Sequence, residues 1–196
     1  MPRRRELIRL LRDGFLDWTA DDRVAPGLFL RLYGKAPAIA QLDLVSLQWA
    51  LSHPLTVAAV ETLVAPALSR RDRAIPLDDV EAVVSAHVET GSAESLRKTR
   101  TVLLGAMEGI GTLTTRGTGQ HRYLAASRGT PHPLGFAYLV LRELSERGVD
   151  AMMTSEVTET SLAVRATQCG QAHAESCLQW ALTHGVLVER GDEIGA

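Results

Sequence analysis

Prolines divide the first half of this chain into short segments, and that division limits the fold more than any other feature of the sequence. Pro37 and Pro54 open the segments 37–52 and 54–69, at a first helical turn, where the N–H that proline lacks has no helical partner. The preceding segment, 25–34, has helical spacing as well. Apolar residues spaced by three and four predict the core-facing positions, which are Leu42, Val45, Leu47, Trp49, Leu51, Val57, Val60 and Leu63. We therefore expect short helices packed on helices.

The composition is that of a globular protein, because 45% of the residues are hydrophobic and 22% are charged. A chain of 196 residues is long enough for one compact domain or two small ones. Two cysteines, Cys169 and Cys177, are too few for a disulfide framework and indicate a cytoplasmic protein. No uninterrupted apolar run approaches the roughly 18 residues that span a bilayer. We expect neither a membrane span nor an export signal.

Two predicted helices carry charged clusters whose simplest role is structural. Residues 3–17 have the amphipathic pattern of a packing helix, although their arginines would also suit a basic arm against nucleic acid. The segment 76–89 begins with Asp78, Asp79 and Glu81, and the helix dipole favours acids in a first turn. No histidine or second acidic motif is spaced to join them. We interpret these acids as a charged helix start and not as a metal or acid–base site.

From Ser92 onward the pattern changes to a basic helix followed by two short strands. Ser92 or Ser95 would cap the helix, and Gly109 and Gly111 would end it. A Gly-Thr-Gly-Gln turn at 117–120 separates the two strands, which are predicted at 112–116 and 121–124. A helix followed by a basic hairpin is the arrangement of a winged helix. Its helix enters the major groove of DNA and its hairpin lies on the adjacent backbone.

Positive charge is concentrated in this unit. Residues 92–128 hold six basic residues against two acids, a local charge of +4, which leaves −6 for the other 159 residues because the whole chain carries −2. Such an asymmetry turns one face towards a polyanion. Guanidinium, ammonium and hydroxyl groups all contact phosphate. The predicted DNA-binding residues are Ser95, Arg97, Lys98, Thr99, Arg100, Arg116, His121, Arg122 and Arg128. The alternatives are a merely solvated basic face and a winged helix that docks only proteins.

The last third of the chain repeats this order of elements. Helices are predicted at 134–146, 156–168 and 171–184, followed by a strand at 185–189. Arg165 and Arg190 alone would give this part little attraction for DNA. We therefore predict a mainly α protein, a helical bundle with one winged-helix unit (helix-turn-helix plus short β-hairpin) and a second, winged-helix-like C-terminal unit. Its predicted parts are an N-terminal helical subdomain at 1–90, a basic winged-helix element at 91–130 and a C-terminal helical subdomain at 131–196.

No residue pattern in the chain supports catalysis or a cofactor. Cys169, His173 and Cys177 are spaced to share a helical face, but Gly170 would break that helix and a fourth zinc ligand is missing. Ser95 and Lys98 match the Ser-x-x-Lys of some serine acylases without the partner motifs. The Gly-x-x-x-x-Gly-Lys-Ser/Thr loop and the Gly-x-Gly-x-x-Gly fingerprint do not occur. We expect no metal, no cofactor and no enzymatic activity.

In the order and spacing of its motifs the chain resembles the BrxA family, small proteins encoded in BREX bacteriophage-exclusion systems. The motifs are Leu-Phe-Leu-Arg-Leu-Tyr at 28–33, Trp-Ala-Leu-Ser-His-Pro at 49–54, the helix around Asp79, Ser-Leu-Arg-Lys-Thr at 95–99 leading to Gly-Ile-Gly-Thr-Leu at 109–113, and Pro-His-Pro at 131–133. The resemblance covers about residues 20 to 190. The first 16 residues match nothing in it, so any role of Arg3, Arg4 and Arg5 stays open.

This resemblance implies a helical protein with winged-helix elements that binds double-stranded DNA within a phage-defence assembly, without catalytic activity. It places DNA contact on the basic helix and on the hairpin, at Arg97, Lys98, Arg100, Arg116, His121 and Arg122. The implied partners are duplex DNA and other proteins of the defence system, with the oligomeric state open. Two other functions also stay open. One is an interaction scaffold whose basic face meets an acidic protein, and the other is a sequence-specific transcriptional regulator that binds a palindrome as a dimer.

Overall fold

The protein is mainly helical, with small antiparallel sheets, as the sequence predicts. The structure is a computed structural model, and it describes residues 17–18, 24–25, 27–51, 55–88, 92–116, 123–126 and 132–196. The helix predicted at 3–17 lies outside these ranges except for Asp17, where the prediction is wrong. Asp17 belongs to a short strand, β1 (Asp17–Trp18), which pairs antiparallel with β2 (Val24–Ala25).

Three helices confirm the segments that the prolines delimit. They are α1 (Leu28–Tyr33), α2 (Ala38–Leu51) and α3 (Leu55–Leu68). Pro37 directly precedes α2, and its carbonyl accepts the N–H of Gln41 at 3.0 Å. Helix α3 widens to a π-helical turn over Val60–Val64. Pro66 follows this turn, and its missing N–H and crowded ring disfavour a regular α-helical turn before it.

The middle of the chain forms a helical pair with a three-stranded sheet. Its elements are β3 (Ala74–Ile75), α4 (Leu77–His87), α5 (Ala93–Gly109), β4 (Leu113–Thr115) and β5 (Tyr123–Ala125). The predicted hairpin strands are confirmed where they are described, with Leu113 opposite Ala125 and Thr115 opposite Tyr123. The predicted turn at 117–120 lies outside the described residues. The sheet order is β3-β5-β4, so β3 completes the sheet on the other side of β5. The sequence analysis did not predict β3, because two residues carry no periodicity.

The last third repeats this sheet, with three helices in place of two between its first and second strands. Its elements are α6 (Pro133–Arg147), β6 (Ala151–Met153), α7 (Thr154–Glu159), α8 (Leu162–Thr167), α9 (Gln171–Thr183), β7 (Val188–Arg190) and β8 (Glu193–Gly195). The sheet order is β6-β8-β7, the same as in the middle unit. Gly148 ends α6 in the left-handed conformation, with φ of 64°, and turns the chain towards β6.

Two predictions for this region are wrong in detail. The single helix expected at 156–168 is two helices, α7 and α8, because the chain leaves the helical path at Thr160 and Ser161 caps the second one. The hydroxyl of Ser161 accepts the N–H of Val164 at 3.4 Å. The terminal strand begins three residues later than predicted and turns at Gly191 into β8, which was not predicted.

One hydrophobic cluster connects both repeats, and it extends from Phe29 to Ile194. Helix α6 lies at its centre and packs against α1, α2, α8 and α9. Phe136 and Leu139 of α6 are completely buried, as its nearly all-apolar circumference predicts. The β3–β5 pairing also joins residues on either side of the predicted boundary at 90.

Two residues of α2 that were predicted to face the core lie on its exposed side instead. Leu42 is 74% exposed and Val45 is 36% exposed, and the neighbouring Ile39 is 72% exposed. The buried face contains Leu47 and Leu51, as predicted, together with Ala40, Leu44 and Ala50, which were not predicted, and it packs against α5 and α6. Trp49 and Val57 are only partly buried. Helix α2 is apolar on several sides, so spacing alone did not identify which side meets the core.

Among the described helices, none is long and apolar enough by itself to cross a bilayer. Helices α2 and α3 pass that test of length and composition only as a pair that is bent by 92°.

Candidate nucleic-acid interface

The basic helix α5 begins at a cap formed by Ser92. The Oγ of Ser92 accepts the backbone N–H of Ser95 at 3.2 Å, and Glu94 lies in the first turn, where the helix dipole favours an acid. Of the two serines considered as caps, Ser92 is the one that the structure uses. Ser95 is therefore the third residue of the helix, exposed beside the basic residues that follow.

The three cations of α5 have different surroundings. Arg97 is exposed and forms no ion pair with any described residue. The Nζ of Lys98 lies 2.9 Å from Glu94 Oε1, one turn earlier, and both side chains are mostly in solvent. Such exposed pairs contribute only about 0.3–0.5 kcal/mol, so Lys98 remains available to a phosphate. Arg97 and Lys98 are thus the accessible cations of the helix.

Arg100 faces the neighbouring helix instead of open solvent. Its guanidinium pairs with Glu81 of α4, and its side chain is 23% exposed. A phosphate contact by Arg100 would compete with this ion pair. Glu81 therefore has a partner that its sequence position did not suggest, whereas Asp78 and Asp79 form the charged first turn of α4, as expected. Thr99, also predicted as a contact, is half-buried.

A groove of about 320 Å³ separates the second half of α4 from the start of α5. Its walls are formed by Glu81, Val84, Ser85, Ala93, Leu96, Arg97 and Arg100. The structure thus places Arg97 and Arg100 around one groove, with the apolar side chains of Val84 and Leu96 between the helices. Arg97 extends from this groove on the solvent side of α5.

Arg116, the predicted hairpin contact, lines a separate cleft of about 380 Å³. The cleft residues are Arg71, Asp72, Arg73, Thr114, Arg116, Leu124, Ala125 and Ala126. The structure therefore brings Arg116 together with two arginines of the loop before β3. Next to Arg116, at the end of β4, Thr115 donates a hydrogen bond to Glu108, which holds the strand against the end of α5. His121, Arg122 and Arg128, the other predicted hairpin contacts, lie outside the described residues.

Arg71 and Arg73 were not among the predicted contacts. A signal was present, because Arg70-Arg71-Asp72-Arg73 is the densest basic run between the N-terminus and α5. It stood outside the predicted hairpin and helix, so no element related it to Arg116. Only the pairing of β3 with β5 places this loop beside β4.

The C-terminal repeat has the opposite charge. From Gly148 to the last residue, seven acids stand against Arg165 and Arg190, a net charge of −5. Arg165 forms two ion pairs, because its guanidinium lies 2.9 Å from Glu61 and 3.4 Å from Glu143. This repeat therefore presents an acidic surface, and the predicted weak attraction for DNA agrees with its charge.

The cysteine–histidine cluster is an apolar packing site in the described part of the chain. His173 Nε2 lies 3.2 Å from Cys177 Sγ, and Gly170 caps α9 so that Cys169 precedes the helix. Burial raises the pKa of both thiols, that of Cys177 to about 11, which keeps them protonated at neutral pH. No group of three or more potential metal-ligating residues occurs among the residues that the structure describes.

No known protein family, curated protein or solved structure matches this chain. The resemblance to BrxA therefore stays a prediction that rests on the order of the motifs.

Proposed function

We propose that this protein binds duplex DNA through the phosphate backbone, using the middle repeat as a winged helix. In this proposal α5 is the recognition helix, β4 and β5 form the wing, and the C-terminal repeat is a second winged helix that does not contact DNA. The order helix, strand, helix, helix, strand, strand and the sheet order β3-β5-β4 support the assignment. The protein acts by binding and not by catalysis.

The observation that carries the proposal is the position of Arg97 and Lys98. They lie in the first two turns of α5, exposed and free of strong ion pairs within the described ranges. A helix start adds its own positive potential and backbone N–H groups to these side chains. Cations at such a helix start bind phosphate without reading bases, so the affinity depends on salt and little on sequence.

The experiment is a salt titration of binding to an unrelated duplex. We compare wild type with R97Q/K98Q, and with R31Q/K35Q as a control that removes two charges from the α1 region. Wild type is expected to lose affinity steeply as salt rises. R97Q/K98Q should lower the slope of log K against log salt by about one unit for each contact removed, and the control should not. Absence of duplex binding by wild type at low salt would rule the proposal out.

Arg100 is left unchanged in this variant because it pairs with Glu81 and so also joins α4 to α5. Its replacement would mix a loss of DNA contact with a change in the helical pair. Thermal unfolding of each variant should stay close to that of wild type, which shows that any loss of affinity comes from the surface charge.

The assignment to phage defence is part of the same proposal, and it is supported by the resemblance of the motif order to BrxA. A duplex-binding accessory protein would position a larger defence complex on DNA without discriminating sequences. Deletion of its gene should weaken the host's restriction of phage, and complementation with R97Q/K98Q should not restore it, whereas R31Q/K35Q should.

A second candidate function is that of a scaffold for other proteins of the defence system, and the outer face of α2 favours it. Ile39, Leu42 and Val45 form an exposed apolar stripe that nothing in the described part of the chain covers. Sedimentation of the purified chain with separately purified proteins of its defence system measures such docking. The scaffold function requires a complex that I39E/L42E abolishes while duplex binding is unchanged.

A further inference from the structure

Three arginines from different parts of the sequence line the cleft beside the sheet. Arg71 and Arg73 come from the loop before β3, and Arg116 follows β4. All three are exposed, and none forms an ion pair with another described residue. Like charges gathered in one cleft repel one another, and an anion bound between them removes that repulsion.

The loop that carries two of these arginines is held in place by backbone contacts. The carbonyl of Arg73 accepts the N–H of Ala125 at 2.8 Å, which continues the β3–β5 pairing. Asp72 Oδ1 accepts the N–H of Ala74 at 3.2 Å, and the guanidinium of Arg70 donates to the carbonyl of Ala74. Arg70 and Asp72 thus shape the loop, whereas Arg71 and Arg73 are left to face the cleft.

The backbone of Arg73 has an unusual conformation. Its φ is 52°, in the left-handed region that residues other than glycine rarely adopt and that costs of order 1 kcal/mol. The hydrogen bonds on either side of Arg73 maintain this conformation. An anion that binds here meets a loop that is already ordered, so binding requires little additional loss of conformational entropy.

The chemistry of the cleft suits a phosphate better than a carboxylate-bearing protein surface. Guanidinium groups present planar donor pairs that match two phosphate oxygens at once, and three of them approach from two sides. Among the described residues that line the cleft, the only acid is Asp72, whose carboxylate already accepts a backbone N–H. The other described lining residues are uncharged, namely Thr114, Leu124, Ala125 and Ala126.

We propose that Arg71, Arg73 and Arg116 form a second phosphate-binding site for the backbone of duplex DNA, separate from the contacts of α5. This inference rests on the proposed function and deepens it. The duplex then contacts the middle repeat at two places, at the start of α5 and at the edge of the three-stranded sheet. Two separated backbone contacts orient the protein on DNA without any contact to a base.

The test measures duplex binding across a salt series for R71Q/R73Q, with R31Q/K35Q as the charge-matched control. The cleft accommodates one phosphate, so R71Q/R73Q should lower the salt slope by about one unit and weaken binding at 0.1 M salt at least about fivefold, with the control unchanged. A slope and affinity for R71Q/R73Q that equal those of the control overturn the inference. If R97Q/K98Q still lowers the slope in that case, the proposed function stands. If wild type itself binds no duplex, both fail.

A second measurement locates the anion. Pyrophosphate added to the isotope-labelled protein should shift the amide resonances of Arg73, Ala125 and Ala126 in wild type, with saturation, and should shift them much less in R71Q/R73Q. Equal shifts in both proteins, or none at these amides, would overturn a phosphate site in this cleft. Circular dichroism and thermal unfolding of R71Q/R73Q establish that its loop and sheet are intact.

Discussion

At the scale of single residues, a few close contacts determine which substitutions the fold tolerates. Gly135 lies where α6 crosses α2. A Cβ atom at this position would stand 2.4 Å from Asp43 Oδ2 and 3.0 Å from Leu47 Cδ1. Asp43 has little freedom to move, because its Oδ2 accepts the backbone N–H of His132 at 3.1 Å. Glycine is thus required at position 135 because the side chains of α2 lie so close to it, and not because of its backbone conformation.

We expect G135A to lower the free energy of unfolding by about 1–3 kcal/mol, since Asp43 and Leu47 must shift to admit the methyl group. The matched control is G105A. A Cβ at Gly105, exposed in α5, meets no heavy atom within 4 Å, so alanine should raise the free energy of unfolding by about 0.5–1 kcal/mol. Urea denaturation of both variants measures the difference. Equal effects of the two substitutions would contradict the crowded crossing.

The buried thiol of Cys177 makes stability depend on alkaline pH. Its pKa is raised to about 11 from an ordinary value of 9.0, first by burial and then by the nearby Cys169. The unfolded chain releases this proton at lower pH than the folded protein does. The resulting contribution to stability is therefore complete below pH 9 and disappears as the pH rises through 11. Between pH 9 and 11 wild type should lose more free energy of unfolding than C177A loses. Equal losses of the free energy of unfolding in wild type and C177A, measured by urea denaturation, would contradict the raised pKa of Cys177.

At the scale of elements, Glu143 joins four helices. From α6 its Oε2 accepts the backbone N–H of Leu162 at 2.6 Å, at the start of α8. Its Oε1 lies 3.4 Å from Arg165 of α8 and 3.9 Å from Arg147. Arg165 also pairs with Glu61 of α3, and Arg147 pairs with Glu156 of α7. One buried carboxylate thus links the helices of the C-terminal repeat to one another and, through Arg165, to α3.

We expect E143A to lower the free energy of unfolding by about 2–3 kcal/mol, because it leaves a buried N–H at a helix start without an acceptor. E143Q keeps an acceptor for the N–H of Leu162 and should therefore lower the free energy of unfolding less than E143A does. The control is E146A, which removes an exposed carboxylate paired with Arg142 one turn away and should cost less than about 0.5 kcal/mol. Chemical denaturation compares the three. A cost for E146A as large as that for E143A would contradict the network.

At the scale of the whole molecule, both repeats contribute to one hydrophobic cluster. Helix α6 belongs to the C-terminal repeat by topology, yet it packs on α1 and α2 as well as on α8 and α9. Opposite charges therefore stand on one connected core, basic in residues 92–128 and acidic from Gly148 onward. The basic surface would face DNA while the acidic surface is repelled from it.

We expect the chain to unfold in a single cooperative transition, because one continuous hydrophobic cluster contains residues of both repeats and of α1 and α2. Differential scanning calorimetry should give equal calorimetric and van't Hoff enthalpies. The far-UV circular dichroism and the tryptophan fluorescence should follow the same curve. Two resolved transitions would show that the repeats are stable separately.

The amino-acid sequence by itself determined the local elements of this protein. Proline positions, apolar spacing and the Gly-rich turn predicted α1, α2, α3, α4, α5, α6 and α9 to within a few residues, as well as β4 and β5. Caps and turns are local interactions, so adjacent residues are enough to specify them. The strands β3 and β6 escaped prediction because they exist only through pairing with distant residues. Strand β8 also pairs with the neighbouring β7 through the turn at Gly191, and this local turn was not predicted.

Only the tertiary structure decided which side chains of these elements are buried, which are ion-paired and which remain exposed. The packing of α2 left Leu42 at the surface although its spacing fits a core. The contact between α4 and α5 paired Arg100 with Glu81, whereas Arg97 is exposed and has no ion pair among the described residues. The pairing of β3 with β5 brought Arg71 and Arg73 beside Arg116, more than 40 residues away in the chain. Burial and ion pairing depend on neighbours that are remote in sequence, so the availability of a charge cannot be inferred from its local pattern.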